Sequence, residues 1–224
     1  MFKTLRDAFK IKEVRHRIFY VLFALVVIRV GSQIPVPGVD TSFFSNYFNN
    51  SSNDAFTFLN AFTGGGFTNF SIFALSITPY ITSSIIIQLL TIAIPKLEEM
   101  QKDGEEGRKK LTAITRYLTV GLSLFESIAM CIGFGNKLIL ELNAVNVIVV
   151  VASLTAGSAF LMWIGEQIND KGVGNGISMV LLINILSRIP VDMITLFENF
   201  VKGKTIAKAT VAVSYTHLRA HETL

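Results

Sequence analysis

The sequence predicts an all-α membrane protein, a polytopic bundle of membrane-spanning helices. Of its 224 residues, 51% are hydrophobic and only 16% are charged, and the mean hydropathy is +0.53. In soluble domains about a quarter of the residues are charged. Several apolar runs approach the roughly 20 residues that a helix needs to cross a bilayer. This composition excludes a disordered protein and a collagen-like rod. A disulfide scaffold is excluded because Cys131 is the single cysteine.

Five apolar segments are predicted to cross the membrane. The first ends where Pro35 and Pro37 interrupt it, because proline removes a backbone donor. The second contains no charge, and we expect a kink at Pro79. The fifth is the shortest. In chain order, the five predicted spans are 18–36, 70–94, 111–135, 144–165 and 176–190.

The basic residues are unevenly distributed and predict the orientation. Six of the 20 lysines and arginines lie in the segment 1–17, five more lie in 95–110, and none lies in 33–95. Basic loops mark the cytoplasmic side of a membrane protein, so we expect a cytoplasmic N-terminus. Acidic residues share the same basic segments. We therefore expect no direct nucleic-acid site.

A short amphipathic segment precedes the second span. Its apolar residues recur at helical spacing and three glycines follow it. Nine residues are too few to cross the membrane, so the pattern leaves two interpretations, an interfacial helix and a re-entrant stopper, and favours the first. The apolar residues are Ala55, Phe58, Leu59 and Phe62, and the glycines are Gly64, Gly65 and Gly66.

Polar residues in the apolar segments are the candidate functional groups. The glycine-rich run 172–176 lacks the preceding strand and the lysine of a phosphate-binding loop, and it is predicted to connect two helices. Glu126 is an ionisable side chain at membrane depth, where such groups usually mark a pathway. Thr82, Ser83 and Gln88 either satisfy backbone carbonyls or line a passage. We expect no cofactor and no metal site.

The end of the sequence changes character. Residues 207–213 are similar to the beginning of a sixth crossing, although a lysine interrupts them. Residues 214–224 are polar and contain His217 and His221 at a spacing of four. A zinc site needs further ligands. We expect this tail to be non-native adaptor or vector sequence, and it carries no functional prediction.

Several long motifs in order resemble one family. They resemble SecY, the pore-forming subunit of the bacterial protein-translocation channel. Ser76 is a departure, because the family usually has glycine there. The motifs are IPVPGVD at 34–40, SIFALSITPYI at 71–81 continuing to IQLL at 87–90, GRKK at 107–110, WIGEQI at 163–168 and GVGNGIS at 172–178.

The resemblance implies a fold of ten membrane helices in two five-helix halves, arranged as a clamshell around a pore. This chain looks like the N-terminal half, with the five spans and a plug helix in 18–206 and a sixth helix cut off as it begins. The family's pore is closed at its waist by aliphatic side chains, which match Ile77, Ile81, Leu181 and Ile185, here called the waist residues. Residues 55–67 match the plug, which reverses the preference for an interfacial helix.

The resemblance also implies a lateral gate and a set of partners. The second and third spans resemble one side of the gate, which includes Thr82, Ser83, Gln88 and Glu126. Relatives tend to carry an uncharged polar residue at the position of Glu126. The implied partners are the SecE and SecG subunits, the SecA motor ATPase or a ribosome, a signal-sequence-bearing polypeptide and the lipids of the bacterial cytoplasmic membrane.

Two other classes compete with a protein-conducting channel. A secondary transporter or ion channel with discontinuous helices is suggested by Pro79 and Glu126, but it needs convergent polar groups at mid-membrane. A membrane enzyme needs titratable groups within reach of one another, and the sequence offers isolated ones. We therefore expect no enzymatic activity.

Overall fold

The computed structural model describes residues 11–42, 60, 62–139 and 143–201. Across these ranges the regular structure is entirely helical, with two isolated bridges and no strand, which confirms the predicted all-α class. The helices are α1 (Lys12–Gly31), α2 (Thr78–Ala93), α3 (Pro95–Lys102), α4 (Glu105–Leu138), α5 (Ala144–Lys171) and α6 (Gly176–Val201).

Each predicted span overlaps a helix, but the helices differ in length and polarity. Among the described residues, α4 and α5 are long and apolar enough to cross a membrane by length and composition. Helices α2 and α3 meet at an angle of 104° and add a third span if the bent pair is counted as one. Helix α1 has charged residues at both ends, and the apolar part of α6 is shorter.

The predicted kink at Pro79 is wrong. Helix α2 begins at Thr78, so Pro79 lies in the first helical turn, where its missing N–H has no partner to lose. Residues 70–77 precede the helix in a non-helical conformation. Their backbone bonds to the chain after α1 instead, since Val36 N–H donates to Phe70 O at 3.0 Å and Ile72 N–H donates to Ile34 O at 3.0 Å.

Helix α6 continues beyond the predicted end of the fifth span. Pro190 lies inside the helix rather than at its end. The described residues form two compact units that divide between Ile185 and Leu186, within α6. All the packing described below belongs to the first unit.

The core of the first unit consists of two clusters of buried apolar side chains. One, the loop cluster, combines residues of the non-helical segments with residues of α4 and α5. The other, the helix cluster, joins α1, α5 and α6 to residues that precede α2. The loop cluster is Val36, Val39, Phe67, Phe70, Ala74, Leu75, Cys131, Ile139, Val150 and Leu154. The helix cluster is Val21, Ala24, Ile28, Phe73, Ile77, Leu161, Ile164, Ile168 and Val180.

The glycine-rich run between α5 and α6 is confirmed as a helix-to-helix connection. Gly176 N–H donates to Asn169 Oδ1 at 2.6 Å, and Ile177 N–H donates to Asn175 Oδ1 at 3.0 Å at the beginning of α6. A Cβ atom on Gly176 would overlap the carbonyl oxygen of Gly165 in α5. The two helices are therefore in direct backbone contact at this point.

Candidate functional site

The waist residues of α2 rise out of the core along one stripe. Ile77, directly before the helix, is fully buried in the helix cluster. Ile81, one turn later, is half-buried and packs against the same cluster. Ile85, a further turn along, is 51% exposed. The spacing of four that the sequence shows therefore leads from the protein interior to an open face.

The waist residues of α6 continue this aliphatic contact. Leu181 is half-buried and packs against the helix cluster, while Ile185 is 43% exposed. Three of the four waist residues, Ile77, Ile81 and Leu181, thus belong to the helix cluster or pack against it. Their side chains are aliphatic, so the contact can exclude water and can yield, but it offers no group for acid, base or nucleophilic chemistry.

The plug prediction falls partly outside the described residues, where Ala55, Phe58 and Leu59 lie. Phe62 is half-buried. The three glycines after it form a tight turn in which Gly64 and Gly65 have φ angles of 63° and 89°, a region that glycine occupies readily. Arg29 Nη1, near the end of α1, donates to Gly64 O at 3.3 Å. The glycine turn is therefore held against the first helix.

The same turn is closed by hydrogen bonds of its own. Gly65 N–H donates to Asn60 O at 3.0 Å, and Gly66 N–H donates to Thr63 O at 3.2 Å. The backbone N–H of Phe67 donates to Thr63 Oγ1 at 3.1 Å. The glycines, predicted to end a short helix, thus belong to a hydrogen-bonded turn.

The predicted gate residues of α2 lie on two different sides of the helix. Helices α2 and α4 pack against each other. Ser83 is buried, and its Oγ donates to Pro79 O at 2.7 Å, so it satisfies a backbone carbonyl. Thr82 and Gln88 are exposed. Glu126 on α4 is half-buried, so the four predicted gate residues differ in exposure.

An ion pair between α4 and α5 was missed by the sequence analysis. Arg116 Nε donates to Glu166 Oε1 at 2.7 Å, with the two side chains 52% and 15% exposed. Fifty residues separate them, so each charge looked isolated. The available signal was their position: Arg116 lies near the beginning of one predicted span and Glu166 directly follows the next, so both lie near the predicted cytoplasmic side.

A buried stripe of hydroxyl residues along α4 was also missed. Its members recur every four residues, and each donates to a carbonyl of its own helix. Ser127 Oγ also lies 3.4 Å from Thr155 Oγ1 of α5. Small hydroxyl residues allow membrane helices to approach closely. The stripe consists of Thr115, Thr119, Ser123 and Ser127.

These features define an integral membrane protein built of packed apolar helices. No group of three or more metal-ligating side chains occurs within the described part of the chain. The family model for SecY matches residues 71–220, which is more than half of the sequence. The chain belongs to the SecY family.

Individual relatives agree with this assignment. The chain is 43% identical over 210 residues to "Protein translocase subunit SecY" of Staphylococcus carnosus (strain TM300), covering 92% of this chain and 48% of that protein. It is 45% identical over 199 residues to the protein of the same name from Staphylococcus aureus (strain NCTC 8325 / PS 47), covering 87% and 46%. The chain therefore spans about half the length of the curated relatives it matches.

Solved structures show the same fold at lower sequence identity. "Sec61 in the Canine ribosome-channel complex from the endoplasmic reticulum" matches with a TM-score of 0.56 and 18% identity, covering 89% of this chain and 43% of that one. "The structure of a protein conducting channel" matches with a TM-score of 0.55 and 18% identity. None of these matches favours the transporter or ion-channel alternative.

Proposed function

We propose that this chain forms the N-terminal half of a protein-conducting channel in the bacterial cytoplasmic membrane. The channel passes unfolded secretory polypeptides and releases hydrophobic segments into the lipid. Membership of the SecY family supports this function. The observation that carries it is that Ile77 belongs to the helix cluster, while Ile81 of α2 and Leu181 of α6 both pack against that cluster.

A ring of branched aliphatic side chains suits a channel that must stay tight to ions. Such a constriction is poorly wetted and resists ions. Each contact is weak and non-directional, so the ring can deform around an extended polypeptide. Ile81 and Ile185 retain exposed surface. The second half of the channel would pack against this surface and complete the ring.

The segment 55–67 is proposed as the plug that closes the outer vestibule. A plug must leave its seat while its base stays attached. The hydrogen bond from Arg29 to Gly64 and the closed glycine turn supply such a fixed base. Movement would then be confined to the residues before this turn.

Helices α2 and α4 are proposed as one side of the lateral gate. Thr82 and Gln88 lie on the exposed side of α2, where they would meet a passing segment or the other half of the channel. On the packed side of α2, the hydroxyl of Ser83 is satisfied by the carbonyl of Pro79. Glu126 is half-buried on α4, and an ionised carboxylate there would hydrate the closed seam.

The proposed partners follow from the family and from the charge distribution. The basic N-terminus and the exposed basic residues at the beginning of α4 would lie on the cytoplasmic side. The SecA motor ATPase or a ribosome would dock there, and SecE and SecG would complete the complex. The ribosome–channel assembly of the Sec61 neighbour supports a ribosome as partner. The chain itself would make and break no covalent bond.

The waist is tested by ion leakage through a complete channel. We would join this chain to the C-terminal half of the Staphylococcus carnosus relative, reconstitute it with SecE and SecG, and measure the chloride permeability of proteoliposomes. Ile81→Ala should raise the leak about tenfold, equivalent to about 1.4 kcal/mol in the closed-to-open equilibrium. The matched control is Ile92→Ala, because Ile92 lies on the same helix and is largely exposed. Equal leaks from both variants would contradict the proposal.

A further inference from the structure

Ser76 has an unusual backbone conformation directly before the first waist residue. Its φ angle is 55°, in the left-handed region where a side chain costs free energy and glycine is favoured. The residue is buried. A serine at this position therefore needs a compensating contact, and its hydroxyl makes one.

The contact is a buried hydrogen bond to α6. Asn184 Nδ2 donates to Ser76 Oγ at 3.3 Å, and 108 residues separate the two in the sequence. Asn184 is only 3% exposed. A buried amide is costly unless it is hydrogen-bonded, so losing this bond is unfavourable.

Each of the two bonded residues is next to a waist residue in the sequence. Ser76 directly precedes Ile77, and Asn184 directly precedes Ile185 and lies one turn after Leu181. The bond therefore ties the beginning of α2 to the turn of α6 that carries the other waist residues. The two elements cannot shift along each other without breaking it.

We propose that the Asn184–Ser76 hydrogen bond is a positioning contact that holds the waist residues of α2 and α6 in register. This role rests on the proposed channel function. Aliphatic contacts are non-directional and tolerate sliding, whereas a hydrogen bond fixes both distance and angle. In a bilayer, helices gain little from apolar burial against each other, so packing and interhelical hydrogen bonds set their register.

The bond is tested first by a double-mutant cycle in the full chain. Unfolding in detergent micelles is compared for the unchanged chain, Ser76→Ala, Asn184→Ala and the double variant. Alanine keeps the Cβ atom at position 76, so the backbone strain stays the same. Each single change should lower the folded-to-unfolded ratio about fivefold, and the double variant should lose little more than one single variant. Effects that add would overturn the bond as a coupled pair.

The positioning role is tested next by ion leakage in the complete channel described above. Both single variants should raise the chloride leak about fivefold, because one net hydrogen bond is lost from the closed state. Ser76→Gly relieves the strained backbone but removes the acceptor, and it should leak as Ser76→Ala does. If it stays as tight as the unchanged channel, backbone strain and not the bond controls the waist, which would overturn the proposal.

A matched control separates positioning from general stability. Thr155→Val removes a hydroxyl from another interhelical contact, between Ser127 and Thr155, which lies outside the helix cluster. This variant should leave the leak unchanged. The cycle could show that Ser76 and Asn184 are coupled while both single variants remain ion-tight. The bond would then be a structural contact only, and its positioning role would be overturned.

Ile81→Ala in the same assay distinguishes the two proposals. If Ile81→Ala leaks and the variants of Ser76 and Asn184 do not, the positioning role fails while the channel function stands. If Ile81→Ala is as tight as the Ile92→Ala control, the aliphatic waist itself fails, and the positioning role falls with it.

Discussion

The loop cluster and the helix cluster lie in the same compact unit, yet they are packed in different ways. The loop cluster is filled by large side chains from non-helical segments, with Phe70 fully buried at a positive φ angle. The helix cluster lies where α5 and α6 touch backbone to backbone at Gly165 and Gly176. One region depends on volume and the other on close approach.

The two regions tolerate different substitutions. A region filled by large side chains loses stability when a side chain is shortened, because a cavity remains. A region of close backbone contact loses stability when a side chain is lengthened, because the helices must separate. The waist residues belong to the second kind of region. The positions of the waist residues therefore depend on Gly165 and Gly176, which have no Cβ atoms to separate α5 from α6.

The largest expected effect is in the loop cluster. Phe70→Ala should lower the free energy of unfolding by about 3–5 kcal/mol, because it empties a fully buried site. The measurement is thermal unfolding in detergent, followed by circular dichroism. Phe125→Ala is the matched control, since Phe125 is 68% exposed on α4 and should cost less than about 1 kcal/mol. Equal losses would mean that the loop cluster is not a packed core.

An intermediate effect is expected at the contact of α5 and α6. Gly176→Ala should destabilise the chain by about 2–3 kcal/mol, because its Cβ atom would overlap the carbonyl oxygen of Gly165. Gly165→Ala is the comparison, since its Cβ atom would lie 3.4 Å from Ile77 Cδ1, an ordinary contact. The same unfolding assay should show little change for Gly165→Ala. If Gly165→Ala were the more destabilising variant, the close contact would not be the one between the Gly176 Cα and the Gly165 carbonyl oxygen.

The smallest effect concerns the ion pair between α4 and α5. Glu166→Gln should cost about 1 kcal/mol or less, because Arg116 is half exposed and solvent screens the pair. Glu98→Gln removes the exposed pair with Lys102 within α3 and should cost a few tenths of a kcal/mol. Unfolding at low and high salt compares the two. A loss above about 3 kcal/mol for Glu166→Gln would identify a buried ion pair instead.

The sequence predicted the helices well where they are apolar and uninterrupted. The predicted span 144–165 begins at the first residue of α5, and the predicted span 176–190 begins at the first residue of α6. Residues 70–77 were misassigned to the second span because they are as apolar as a membrane helix. Their conformation is set by bonds to Ile34 and Val36, which local periodicity does not report.

The candidate site was predicted in part. The waist residues were named from motif resemblance, and their role stays a prediction; Ile77 lies in the helix cluster, and Ile81 and Leu181 pack against it. The predicted gate residues carry no signal of which side of α2 they occupy, and Ser83 is on the packed side while Thr82 is exposed. The pairs Arg116–Glu166 and Ser76–Asn184 join residues 50 and 108 positions apart. Pairing across such separations depends on how helices pack.

The amino-acid sequence alone determined the all-α class, the membrane environment and the positions of the apolar helices, because composition and local periodicity act over one or two helical turns. Tertiary packing sets where α2 begins, which side of each helix is buried and which polar groups meet. Those features depend on contacts between residues distant in the chain. Close approach at Gly176 and the hydrogen bond between Asn184 and Ser76 exist only once α5, α6 and the beginning of α2 have packed together.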